Sequence, residues 1–301
     1  MRDTGLISFL AGQRWALHAP VLEAACGVLS RHSRGAKLDA VSIGAIVDGR
    51  DQRQTDRRER WGVADGNAAA QAAKAYFMAG NVAVVPISGV LSKYADMING
   101  MSQPSGMTSA EVSANILAAA KDRDAKSLLL DIDSPGGTVA GGSDMWDAVM
   151  QVKEAGMPVA AIAHDMAASG GYWLGLAADA FYLTDMAEVG SIGVYCVITD
   201  YSRADQNAGI ITHVVASGVD KGVGAGAPVT HEQVATIKED IDRMATAFKN
   251  AVAESRGLPM DIVEQLATGR TFVGQDAVDR GLADGVVTFR ELIGVMNEQG
   301  I

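Results

Sequence analysis

The sequence predicts an α/β domain built on a largely parallel sheet. Three observations predict it. From about residue 81, short apolar runs alternate with segments of helical periodicity, the pattern of βαβ units. Two helix starts carry capping boxes, Thr108 with Glu111 and Thr230 with Gln233. Two of the predicted strands run into glycine-bearing turns, "DSPGG" at 133–137 and "MAASGG" at 166–171.

Each element follows in chain order. "NVAVVPISGVL" is an apolar run of the length and β-branched content of a buried strand. "TSAEVSANILAAAKD" is a capped helix. "KSLLLDIDSPGG" is a strand closed by a glycine turn. "TVAGGSDMWDAVMQVKEAG" is a helix whose Gly141-Gly142 pair weakens its start. "PVAAIAHD" is a strand, "SGGYWLGLAAD" a helix and "AFYLTD" a strand. "SIGVYCVIT" and "ITHVVASG" read as two more strands around a short helix, "SRADQNAG". A long amphipathic helix covers about 230–256, and a second helical segment starts at Pro259. "GQDAVDRGLADGVV" supplies a short helix and a last strand. The chain shows no internal repeat and no low-complexity tract.

The 301 residues are 48% apolar and 20% charged, which suits a packed globular core. The net charge of −11 argues against nucleic acid as a partner, since neutralising phosphates needs a basic surface. Cys26 and Cys196 are too few for a disulfide framework and suit a reducing compartment. No segment has the ~18 consecutive apolar residues of a membrane span. The N-terminal apolar run is broken by Gln13, Arg14, His18 and Glu23 and does not read as a signal peptide. Residues 1–80 read as an extension with a polar linker at about 48–67. Residues 81–290 form the main domain, and 291–301 a C-terminal tail.

Chemistry is sought where strands end and helices begin, because catalytic groups of such sheets collect there. The two glycine turns would present backbone N–H groups near helix N-termini, able to stabilise an oxyanion. Ser169 would stand beside the N–H of Gly170, with those of Gly136 or Gly137 across the gap. The competing reading is a helix-capping serine beside an ordinary tight turn. A nucleophilic serine needs a base. His18 and His32 lie in the extension, and His231 opens a helix. His164 sits at a strand end, where packing is its commoner role. His213, among valines, reads as a core histidine. None has an evident orienting acid, so a Ser-His-Asp triad is possible but unsupported.

Lys221 is the other candidate base. It lies in "ASGVDKGVGAGAP", among small residues able to pack closely around it. A lysine in water has a pKa of about 10.4, and desolvation brings it toward neutrality. Ser191, in "VGSIGV", could orient it. No zinc-ligand spacing, Walker loop or dinucleotide fingerprint is evident, so neither a metal nor a cofactor is expected. The methionine-bearing loop 92–107 is equally a substrate groove and a cover over core.

"DSPGG", "MAASGGYW", "VGSIGV", "SGVDKGVGAGAP" and "GQDAVDRGLAD" occur in an order that resembles the signal peptide peptidase A family of serine proteases. The likeness covers about 81–290 and extends to the 52-residue interval between Ser169 and Lys221. It implies a Clp protease/crotonase-like fold and an ATP-independent Ser/Lys dyad. Ser169 would be the nucleophile, Lys221 the general base and Ser191 its hydrogen-bond partner. Gly136 or Gly137, with Gly170, would form the oxyanion hole. The family also implies ring-like homo-oligomers with sites near subunit contacts. "PISGVL" followed by "SGMTSAE" resembles the head maturation proteases of lambda-type phages. That branch implies action inside the procapsid, in the host cytoplasm, on scaffold, on itself and on portal or capsid proteins. A membrane-protein peptidase of the same family and a mainly structural procapsid component remain alternatives. A crotonase-type acyl-CoA enzyme would share the fold, but the core shows no basic cluster for its phosphates.

Overall fold

The computed structural model describes residues 15–17, 76–93 and 106–299. The linker at 48–67 and most of the loop 92–107 lie outside these residues. The twelve described strands, in chain order, are β1 (Trp15–Leu17), β2 (Phe77–Ala79), β3 (Val82–Ser88), β4 (Val90–Ser92), β5 (Gly106–Thr108), β6 (Ser127–Ser134), β7 (Gly136–Thr138), β8 (Val159–Ala168), β9 (Ala180–Leu183), β10 (Glu188–Gly190), β11 (Thr271–Val273) and β12 (Gly285–Val286). The helices are α1 (Ser109–Ala119), α2 (Gly142–Glu154), α3 (Gly170–Gly175), α4 (Ser202–Asn207), α5 (His231–Arg256), α6 (Met260–Leu266), α7 (Gly274–Asp279) and α8 (Phe289–Gln299).

The main sheet runs β11-β10-β8-β6-β3-β2, with β9 on β8 and β12 on β9. The pairs β3–β6, β6–β8, β8–β9 and β8–β10 are parallel, and antiparallel β2 and β11 close the two ends. Central β3 and β6 are buried almost throughout, as expected of parallel strands covered on both faces. One face packs the larger core, including Ile87, Leu130, Ile132 and Ala163 of the sheet under Ile116 of α1 and Val149 of α2. The other face packs Val82, Val84, Leu129 and Ile162 under Phe289, Leu292 and Met296 of α8. Residues 291–299, read from sequence as tail, thus belong to a helix that covers the sheet. The packed unit also begins before residue 81, because β2 pairs with β3.

A second sheet, ordered β1-β7-β4-β5, sits where β3 and β6 end. Gly89, with φ +74, breaks the predicted 81–91 strand into β3 and β4. The first glycine turn is likewise more than a turn, because Gly136–Thr138 forms β7. Both predicted capping boxes are present. Thr108 caps α1 with Glu111 answering, and Thr230 caps α5 with Gln233 answering. Gly257, at φ +61, ends α5 where the chain must turn left-handed.

Two predicted strands are not formed. Residues 191–199 carry only an isolated bridge at Tyr195, and 211–218 have no strand pairing among the described residues. Their apolar alternation suits a sheet edge, but a strand requires a partner, and neither segment pairs with a strand among the described residues. Instead, residues 193–230 form an arm that exposes Ile211 and Val215, at 73% and 97%. Asp200 pins the base of the arm, accepting hydrogen bonds from the backbone N–H groups of Ser202 (2.8 Å) and Val229 (3.0 Å). The Ser202 hydroxyl, together with these two backbone bonds, holds its carboxyl below the usual carboxylate range.

Candidate active site

Ser169 is the residue between β8 and α3. β8 runs to Ala168, three residues past the strand end read from sequence, so the serine follows directly from the sheet. Its backbone takes φ +52 and ψ −117, a conformation that L-residues rarely adopt. Such strain costs on the order of 1–3 kcal/mol and persists where the surroundings hold it. Here the Ser169 N–H donates to the Gly190 carbonyl (2.7 Å), and its carbonyl accepts from the Trp173 N–H (2.9 Å). The residue is 1% exposed. It occupies the N-cap position of α3, yet its hydroxyl makes no capping bond. The capping alternative therefore fails in its physical content, since no side-chain acceptor meets the helix N–H groups.

Ser191 stands beside it. β8 and β10 are parallel neighbours with Ala168 opposite Gly190, so the residues that follow each strand come together. Ser191 also has positive φ, +51, and is 6% exposed. Its N–H donates to the Arg270 carbonyl at 2.8 Å, which ties the serine to the segment entering β11. Gly190, at φ +104, leaves no free room for a Cβ, which would meet the Phe272 ring at 3.1 Å.

The first glycine turn lies across α3. Ser134, at the end of β6, is fully buried and joins three segments. Its hydroxyl donates to the Gly89 carbonyl (2.7 Å) and accepts from the Gly136 N–H (3.1 Å). A Cβ at Gly171 would meet the Ser134 carbonyl oxygen at 3.0 Å, so α3 approaches the turn closely. Sequence reasoning passed over Ser134, although its place inside "DSPGG" was a usable signal. Of the two glycines left open as oxyanion donors, Gly136 thus has its N–H engaged. Gly137 is in register with Leu91 of β4 and Ala16 of β1. A side chain there would overlap the Leu91 carbonyl, so only glycine fits. Thr138, Val139, Met145, Gly170, Trp173 and Leu174 are among the residues that line an apolar pocket beside the turn.

Among the described residues, no side-chain hydrogen bond or ion pair brings Lys221 to this place. It is exposed in the arm, in a turn that shares a shallow concavity with Val214, Ser217, Val219 and Gln233. Gln233 Nε2 donates to the Val219 carbonyl at 2.6 Å and so couples the turn to the start of α5. The described residues do not pack closely around Lys221 as expected, because Gly222, Gly224 and Ala225 beside it are exposed.

The histidines separate clearly. His164 Nδ1 is 3.2 Å from Asp131 Oδ1, and the ring tilts against Phe289 beneath α8. It therefore packs on the α8 side of the sheet. His213 is exposed in the arm, contrary to its reading as a core residue, because the strand expected to bury it does not form. His231 is exposed at the start of α5, and His18 and His32 lie outside the described residues. Among the described residues, no helix is long and apolar enough to cross a membrane.

Comparison with known proteins agrees with this architecture. A family model for peptidase family S49 matches residues 151–300, and one for Clp protease matches residues 84–187. The chain is 33% identical over 230 residues to capsid assembly protease C of Escherichia phage lambda, a match covering 75% of this chain and 51% of that protein. It is 31% identical over 226 residues to the head-tail preconnector protein GP5 of Enterobacteria phage P21, covering 74% and 44%. It is 29% identical over 167 residues to a putative signal peptide peptidase SppA of Enterococcus faecium, covering 55% and 48%. The chain spans about half the length of each of these relatives. The two family models together support a Clp protease-like fold for the parallel sheet and its flanking helices.

Proposed function

Since the chain belongs to peptidase family S49, we propose that it is a serine endopeptidase in which Ser169 is the nucleophile and Lys221 the general base. The observation that carries the reading is the backbone of Ser169. A buried serine held at positive φ on a strand-to-helix turn, with its hydroxyl left out of capping, is a presented nucleophile.

The chemistry follows from the groups around it. Ser169 Oγ attacks the scissile carbonyl as its proton passes to the neutral Nζ of Lys221. The N–H of Gly170 would hold the oxyanion together with that of Gly136 or Gly137, the first bonded here to Ser134 and the second paired between β4 and β1. Collapse expels the amine, which takes the proton from Lys221. Water then adds to the ester, gives its proton to Lys221, and releases the acid with Ser169 restored. Ser191, beside Ser169, would accept a hydrogen bond from the lysine or donate one to it.

Lys221 needs burial that the described residues do not provide. A second copy packed on the arm would cover Ile211 and Val215 and desolvate the lysine at the same time. The active unit is therefore a homo-oligomer. Its substrates would be scaffold, the chain itself and portal or capsid proteins, cut without ATP inside a phage procapsid. The two phage relatives support this setting, being 33% and 31% identical to the chain, against 28% and 25% for a chloroplast serine protease SPPA and a Protease 4 that match over a similar share of it.

The test is the mass spectrum of the incubated protein beside its Ser169→Ala variant. Fragments are expected from the parent alone, with a loss of rate on the order of 10³-fold or more in the variant. Equal fragmentation in the two would refute Ser169 as nucleophile.

A further inference from the structure

The strand that carries Gly137 has a neighbour of unexpected origin. β7 is flanked on one side by β4, and on the other by β1, from the N-terminal extension. The pairing is antiparallel, with Trp15 opposite Thr138, Ala16 opposite Gly137 and Leu17 opposite Gly136. Without β1, that side of β7 would be an open sheet edge. An open edge is an acceptor for extended peptide, because its N–H and C=O groups are unpaired and regularly spaced.

The position of this edge gives it a function. β7 packs against α3, whose first residue follows Ser169, and Thr138 and Val139 line the same apolar pocket as Gly170. A polypeptide reaching Ser169 in extended form would have to lie along β7. That is where Trp15–Leu17 lies, with the Ala16 backbone opposite Gly137. We infer that the β7 edge is a peptide-acceptor site and that Trp15–Leu17 is its resident occupant, which incoming substrate must displace. The inference rests on the proposed role of Ser169 for its functional meaning, though not for the pairing itself. A tethered occupant competes intramolecularly, so free substrate must exceed the occupant's effective concentration to displace it. Even a weak three-residue pairing can therefore hold the edge against dilute substrate and yield to a concentrated one.

The experiment uses the full chain carrying Ser169→Ala, so that nothing is cut. The probe is a fluorescein-labelled peptide of this chain's own residues 12–20, GQRWALHAP. Binding is read by anisotropy, and backbone protection by hydrogen exchange. Without probe, the amides at residues 15–17 and 136–138 should both be protected. As probe is added, 15–17 should lose protection while 136–138 keep it, which is the signature of displacement. Ala16→Pro and Leu17→Pro are then compared. Both are made because neighbouring residues of an antiparallel strand alternate in facing the partner, and proline removes the N–H. At least one should bind the probe ten-fold or more tightly than the unsubstituted sequence. Fast exchange at 15–17 without probe, no displacement at saturation, or equal affinity in all three proteins would each overturn the inference. Because the readout needs no turnover, failure of displacement leaves the protease reading standing, and equal fragmentation of the parent and Ser169→Ala proteins would refute Ser169 as nucleophile and leave the occupied edge standing.

Discussion

Ser191 stands at the end of a strand paired on both edges, whereas Lys221 stands in an arm that joins no strand of either sheet among the described residues. β10 lies between β8 and β11, and the backbone of Ser191 is held further by Arg270. The arm is held at its base by Asp200 and at the Lys221 turn by Gln233, and it leaves Ile211 and Val215 in water. The difference shows how the proposed chemistry divides between a rigid half and a conditional one. The proposed nucleophile, Ser169, and the glycine turns are held by the sheet in a single chain. The proposed base, Lys221, lies on an exposed surface, so the proposed activity would depend on whatever covers it.

Lys221→Ala should give the largest effect short of removing the nucleophile itself. Loss of a general base costs about 10²–10⁴-fold in rate. Because Lys221 is exposed, the unfolding free energy of the isolated chain should change by less than about 0.5 kcal/mol. Cleavage kinetics and denaturant melts check the two halves. Undiminished cleavage would erase the division between ready body and conditional arm.

Gly137→Ala probes the body and should act on stability. The added methyl would overlap the Leu91 carbonyl, and both are backbone-bound positions that cannot swing aside. A destabilisation of about 3 kcal/mol is expected, with cleavage lost alongside. An alanine tolerated there without change in the melt would show the small sheet to be looser than the arm comparison requires.

A smaller effect should follow from the pH dependence of the body. Burial pushes the Asp284 carboxyl up, but hydrogen bonds from Arg256 and the Phe181 N–H, with the Arg256 charge, bring it below the usual range. The folded value thus lies below the unfolded value of about 3.9. The stabilisation is fully present above about pH 4 and is lost as pH falls through the folded value. Asp284→Asn should lower the melting temperature at pH 7. Its gap from the parent should close on acidification toward pH 3. A constant gap would mean that the carboxylate contributes by shape alone.

The part of the fold that was legible in sequence is the part governed by local rules. The capping boxes of α1 and α5 are contiguous patterns with a local mechanism, and both appear where their residues predict. Buried parallel strands announce themselves as apolar runs, and β3, β6 and β8 do so. The two strands that failed, within 191–199 and 211–218, have the right composition but pair with no strand among the described residues. Composition reports what a segment could pair with, while pairing requires a second backbone.

The site divides along the same line. Ser169 was visible because small residues and glycines around a lone hydroxyl are unusual in an apolar stretch. The order of the five motifs then joined it to Ser191, Lys221 and the glycine turn. Ser134 escaped notice because a serine in a turn looks the same whether it bridges three segments or none. The seat taken by Trp15–Leu17 could not be read at all, since nothing in that short stretch specifies β7 as its partner.

Sequence therefore carried the class of fold, the element starts and the chemistry of the candidate residues, because propensity, capping and residue type act over a few positions. Tertiary structure alone decided the strained backbone of Ser169, the engagement of Gly136 by Ser134 and the exposure of Lys221. Each of these depends on which distant segments meet. That outcome is set by how the whole chain closes around its sheet.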